Sequence, residues 1–102
     1  MGQQIRVDAP ASIAEGEIRL LAQGPLLLRH QGRLYCIQNQ CGHFGLPLLD
    51  GELRDGAIIC RHHGISFSLS SGEVVNRPWE NCDKVKVYPV SEGTTEALIE
   101  LD

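Results

Sequence analysis

The sequence predicts an all-β protein, and three observations predict it. Turn residues recur at short intervals, the apolar runs between them are short, and two segments near the C-terminus alternate with period two. Gln31-Gly32 parts Leu26-Leu27-Leu28 from Leu34-Tyr35-Cys36-Ile37. Asp55-Gly56 precedes Ala57-Ile58-Ile59-Cys60, and Ser70-Ser71-Gly72 follows Ile65-Ser66-Phe67-Ser68-Leu69. Short runs joined by glycine-containing turns are how antiparallel hairpins are written. Ser91-Glu92-Gly93 is expected to part the last two strands. In Lys84-Val85-Lys86-Val87-Tyr88 the valines share one face and the lysines the other, while Ala97, Ile99 and Leu101 alternate with Leu98, Glu100 and Asp102. Pro89 cannot donate to a ladder, so its strand ends there, bulges or lies on an edge. A helix is expected only within Ser12 to Ala22, where Ser12 and Glu15 have the spacing of a capping box. Gly16 limits that helix to a turn or two.

The 102 residues fit one domain, residues 1–102, with enough apolar content to bury a core. A formal charge of −4 and nine scattered basic residues speak against nucleic acid as a partner, since phosphate binding needs clustered Lys and Arg. No run of about 18 apolar residues is present to span a membrane, and the first residues lack the apolar core of a signal peptide. The sequence therefore reads as cytoplasmic. In that compartment thiols stay reduced, and four cysteines point to metal before disulfides.

Two segments carry the chemistry: Cys41-Gly42-His43 and Cys60-Arg61-His62-His63, with sixteen residues between His43 and Cys60. Each offers one thiolate and one imidazole beside glycine, at Gly42, Gly45 and Gly64. Glycine lets backbone approach a metal group closely and aim N–H groups at it. Such a set can hold one zinc ion tetrahedrally, although the single-residue gap in Cys41-Gly42-His43 is unusual for zinc modules. It can equally hold a binuclear iron cluster, with both thiolates on one iron and both imidazoles on the other.

Cys41-x-His43 and Cys60-x-x-His63-Gly64 together resemble the motif of the Rieske [2Fe–2S] family. Ile37-x-Asn39-x-Cys41, Gly51-Glu52-Leu53, His63-Gly64-x-x-Phe67 and Ser71-Gly72-Glu73 extend the likeness from about Leu34 to Glu73. The resemblance implies a Rieske-like fold of small antiparallel sheets with a two-loop cluster-binding subdomain at about residues 36–75. It implies one Rieske-type [2Fe–2S] cluster as cofactor, with Cys41 and Cys60 on the buried iron and His43 and His63 on the outer, reducible one.

High-potential members of the family tie their loops with a disulfide and donate two hydroxyls to the cluster. Here the corresponding positions are Leu46 and His62 for the cysteines, and Ile65 and Phe67 for the hydroxyls. Fewer donors leave the reduced cluster less stabilised, which implies a potential of roughly −150 mV rather than about +300 mV. Oxygenase subunits of the family add a mononuclear iron that needs further histidines, and only His30 and His62 remain.

The resemblance thus implies a soluble ferredoxin, an electron-transfer component rather than an enzyme. It would carry single electrons from a flavin-containing, NAD(P)H-dependent reductase to a terminal aromatic-ring oxygenase. Both partners would be transient and the chain monomeric. Phe44, Leu46 and Pro47 would form a small apolar docking rim, with Asp50, Glu52 and Asp55 available for steering. The alternative within the family is the small subunit of an assimilatory NAD(P)H nitrite reductase. From a different class comes a zinc-stabilised interaction module. Of the other residues, Cys36 is expected to be a buried strand thiol and Cys82 a loop or edge thiol. His30 is expected to be a solvated hairpin residue, His62 a packed or exposed one, and Trp79, after Pro78, a packing residue.

Overall fold

The computed structural model describes residues 3–40, 47–61, 64–75 and 84–101. Among them are ten strands: β1 (Gln3–Asp8), β2 (Ile18–Leu20), β3 (Leu26–His30), β4 (Arg33–Ile37), β5 (Glu52–Arg54), β6 (Ala57–Ile59), β7 (Ser66–Ser68), β8 (Val87–Tyr88), β9 (Val90–Glu92) and β10 (Glu96–Leu101). They form three antiparallel sheets, ordered β1-β10-β9, β2-β3-β4-β8 and β5-β6-β7. The all-β expectation holds, and no helix among the described residues is long and apolar enough to cross a membrane.

The four-stranded sheet is the middle layer. Leu26 on β3 opposes Ile37 on β4, and both bury against Ile58, Phe67 and Leu69 of the β5–β7 side. Leu27 opposes Cys36, and both bury on the other face against Ile5, Val7, Ala97 and Ile99 of the β1-β10-β9 sheet. A strand covered on both faces is apolar at every position, which explains the unbroken Leu26-Leu27-Leu28 run. The outer strands, covered on one face, alternate: in β10, Ala97 and Ile99 are buried and Glu100 is exposed.

Pro89 ends its strand as expected, at the point where the chain leaves the middle sheet at β8 and joins the outer sheet at β9. The expected final turn shifts. Ser91 and Glu92 are paired strand residues opposite Leu98 and Ala97, and the chain reverses over Gly93–Thr95, closed by a bond from the Gly93 N–H to the Glu96 carbonyl.

The helix expected within Ser12 to Ala22 is absent. A single 3-10 turn spans Pro10–Ser12, and Ile18–Leu20 is strand. Glu15 does not cap Ser12. Its carboxylate instead accepts the N–H groups of Gln31 and Gly32, 16 and 17 residues away, at 2.6 and 2.9 Å. Those two N–H groups sit in the β3–β4 turn, where φ is +52° at Gln31 and +80° at Gly32. Receiving them holds the carboxyl of Glu15 below its ordinary range.

Arg29 ties the same region together. Its guanidinium donates to the carbonyls of Ile13, Gly32 and Pro10 and pairs with Glu92 at 2.8 Å.

Candidate metal centre

Cys60 follows directly on β6 and is fully buried among Leu48, Ile58, Ile65 and Phe67. Its loop is closed by the backbone. The Cys60 N–H donates to the Ile65 carbonyl at 2.7 Å, and the Gly64 N–H donates to the Cys60 carbonyl at 2.9 Å. Gly64 sits at φ +69°, a turn conformation that glycine adopts without cost. An open cavity of about 390 Å³ reaches Cys60 between Asp50, Glu52, Ile59, Arg61 and Gly64.

The base of the other predicted ligand loop is pinned from both sides. The Asn39 side-chain carbonyl accepts the Leu48 N–H at 2.8 Å, joining the chain before and after residues 40–47. Leu48 in turn accepts the Gly51 N–H at 2.8 Å. A Cβ at Gly51 would lie 2.8 Å from the Ile59 carbonyl oxygen and 2.9 Å from that of Leu48, so only glycine lets this turn lie against β6. Gly72 is tighter still. At φ +78°, a Cβ there would run into the Val85 carbonyl oxygen, while the Gly72 carbonyl accepts the Val85 N–H. Asn39, Gly51 and Gly72 thus have physical roles in the segments that carry the family resemblance.

Of the four predicted ligands, Cys60 is the one described. Cys41, His43 and His63 lie outside the described residues, as do Phe44, Leu46, His62, Pro78, Trp79 and Cys82. Pro47, Asp50 and Asp55 are exposed. Glu52 is exposed too, but its carboxylate is engaged by Arg54 at 2.6 Å, which weakens its use in steering. Ile65 and Phe67 are fully buried and present no hydroxyl beside Cys60.

What is described around Cys60 fits an iron–sulfur cluster better than a hard cation. The donor is a soft thiol with apolar neighbours, in a glycine-bearing loop closed by its own backbone.

Cys36 is the contrasting thiol. It is free and buried in β4, as expected, and desolvation pushes its pKa up to about 12. A thiol so raised stays protonated and inert at neutral pH.

His30 departs from expectation. It is buried rather than solvated, and its Nε2 accepts the Gly56 N–H at 2.9 Å. The signal was present in the sequence. His30 follows Leu26 and Leu28 at period two, so it shares their inward face.

Comparison with known proteins places this geometry. A family model for the Rieske [2Fe-2S] domain matches residues 3–89. The ferredoxin component of the alkene monooxygenase system of Xanthobacter autotrophicus is 31% identical over 78 residues, covering 72% of this chain and 64% of that one. Apoptosis-inducing factor 3 of mouse and of human is 34% identical over 53 residues, which is 52% of this chain and 9% of the relative. The chain therefore spans only part of the length of these relatives.

Among solved structures, a ferredoxin of Sphingomonas yanoikuyae B1 superposes with a TM-score of 0.79 at 25% identity, over 98% of this chain and 100% of that one. Two further likenesses show the fold alone. One is to a complex of oxygenase and ferredoxin in carbazole 1,9a-dioxygenase, with a TM-score of 0.80 at 23% identity over 94% and 91% of the chains. The other is to an NADH-dependent nitrite reductase small subunit from Mycobacterium tuberculosis, with a TM-score of 0.79 at 18% identity over 100% and 97%.

Proposed function

The chain belongs to the Rieske [2Fe–2S] domain family, whose cofactor is one Rieske-type cluster, and from that premise we propose that it is a ferredoxin. It carries single electrons from a flavin-containing, NAD(P)H-dependent reductase to a terminal oxygenase. The observation that carries this reading is Cys60, a buried thiol at the end of a closed hairpin loop inside the matched segment. When bound, the cluster supplies reversible one-electron storage. Cys41, His43, Cys60 and His63 would hold it, within a single domain over residues 1–102 whose cluster-binding part covers about residues 36–75.

The chain's own residues do the rest. The Cys60–Ile65 bond and the Asn39–Leu48 bond fix the bases of the two loops. Buried Leu48, Ile65 and Phe67 keep water from the thiol side. Ile65 and Phe67 offer no hydroxyl to stabilise added negative charge, which supports a low potential. Phe44, Leu46 and Pro47 would make the apolar rim for partners that dock transiently on a monomer. A cytoplasmic location suits the free, buried thiol of Cys36.

The reading is tested on the purified chain. Two irons and two acid-labile sulfides per chain, with a Rieske-type EPR signal after reduction, are expected. The signal is to vanish in His43→Ala and in His63→Ala. A colourless protein loaded with zinc, or an EPR signal that persists in both variants, refutes it. Delivery of electrons to a ring hydroxylase would support the oxygenase partner, whereas co-purification with a sirohaem protein would place the chain with nitrite reduction.

A further inference from the structure

His30 ends β3 in the middle sheet, and Gly56 lies in the turn between β5 and β6, in the sheet that leads to Cys60. The two are 26 residues apart in sequence and joined by one bond, from the Gly56 N–H to Nε2 of His30 at 2.9 Å. An imidazole nitrogen that accepts a hydrogen bond carries no proton, so the neutral ring has its proton on Nδ1. Nδ1 faces the Glu15 carboxylate at 3.9 Å. Gly56 is held at its other end as well, where its carbonyl accepts the Leu69 N–H at 2.9 Å. The β5–β6 turn is thereby fixed to the middle sheet by His30 and to the end of β7 by Leu69.

We propose that His30 is a positioning residue for the hairpin that presents Cys60, and that protonation of its imidazole switches the tether off. A second ring proton on Nε2 would face the Gly56 N–H, donor against donor. The bond is then lost and a backbone N–H at a half-buried contact is left without its acceptor.

Among the described residues, the charged groups around the ring are few. Glu15, from the loop before β2, lies beside Nδ1. Arg33 stands opposite on β4. Arg29, the preceding residue, is occupied by Glu92 and three carbonyls. From the hairpin side come exposed Asp55 and Arg54, the latter paired with Glu52.

The test uses the full chain in its oxidised form. Amide exchange at Gly56 is followed from about pH 8 to about pH 5, across the range in which imidazoles titrate, and corrected for the intrinsic pH dependence of exchange. Protection of Gly56 is expected to fall about tenfold as the ring takes up its proton, with the ring state read from its ¹⁵N shifts. In His30→Gln, whose side-chain carbonyl can accept but does not titrate, protection persists across the range. In His30→Phe it is absent throughout. Constant protection while the ring titrates, or ¹⁵N shifts that put the neutral proton on Nε2, would overturn the tether.

The link to Cys60 rests on the proposed ligand role of that thiol and is read separately. The midpoint potential of the native chain should change slope at the pH where His30 titrates, and His30→Gln should remove that change. A native potential without it overturns the coupling. Because Gly56 exchange needs no assumption about ligands, and iron content tests the ligands without His30, the two failures are distinguishable.

Discussion

The outer sheet and the Cys60 sheet are each three strands wide, yet different forces hold them. The outer sheet is zipped by long strands: β1 pairs with β10 over six positions, from Gln3 opposite Leu101 to Asp8 opposite Glu96. Its inward residues alternate and bury one continuous face. In the Cys60 sheet each strand has three residues, so the ladders are short and regular alternation can bury little. That sheet relies instead on particular contacts: Phe67 in its core, Gly51 and Gly72 where backbone crosses backbone, Asn39 across a loop, and His30 reaching from the middle layer. Regular patterning suffices for a scaffold. The hairpin that carries Cys60 is held residue by residue.

That contrast can be broken. Phe67→Ala should show the largest effect, a loss of about 4 kcal/mol of stability from the cavity left beside Cys60, together with loss of bound iron. Ile99→Ala, in the outer sheet, should cost about 3 kcal/mol and leave iron content unchanged in the folded fraction. Urea denaturation and iron assay on both variants decide it. Equal iron loss would mean that the two sheets are not distinct in this respect.

Gly72→Ala should come next, at about 3 kcal/mol, because the added methyl meets a backbone carbonyl and the residue needs a positive φ. An equally stable variant would show that the crossing at Val85 can open.

Asn39→Ala should cost about 1 kcal/mol. Its mark should be faster amide exchange at Leu48, with the exchange of β10 unaltered.

The smallest effect belongs to the scaffold. The folded carboxyl of Glu15 is held below its ordinary 4.5, so its contribution is present above that pH and is lost as pH falls through the lowered value. Glu15→Gln should remove this acid dependence from the stability profile, as measured by thermal unfolding below about pH 5.

Legibility followed the same division. The scaffold was readable because its forces are periodic: alternation in β10, a run apolar on both faces in β3, and the turn at Gln31-Gly32. Ligand spacing is local, so the sequence alone proposes Cys60 as a ligand, and the structure shows it as a buried thiol at the end of β6. What sequence reasoning missed are bonds between a side chain and a distant backbone group. Glu15 had the spacing of a cap, but nothing nearby reveals that its partners are 16 and 17 residues on. Asn39 stands inside the motif, but its partner, the Leu48 N–H, lies nine residues on, across the loop. His30 differs, because its period with Leu26 and Leu28 points it inward, and that is legible in the sequence.

The pairing of Gln3 with Leu101 also has a consequence in time. The β5–β6 and β3–β4 hairpins close across two-residue turns and can form as soon as their residues leave the ribosome. The outer sheet cannot. Its first strand must wait for β10, nearly the whole described chain later, and closing so long a loop carries the larger entropic cost. The Cys60 hairpin is therefore expected to be built while β1 is still unpaired, with the outer sheet sealing last over a middle layer already in place.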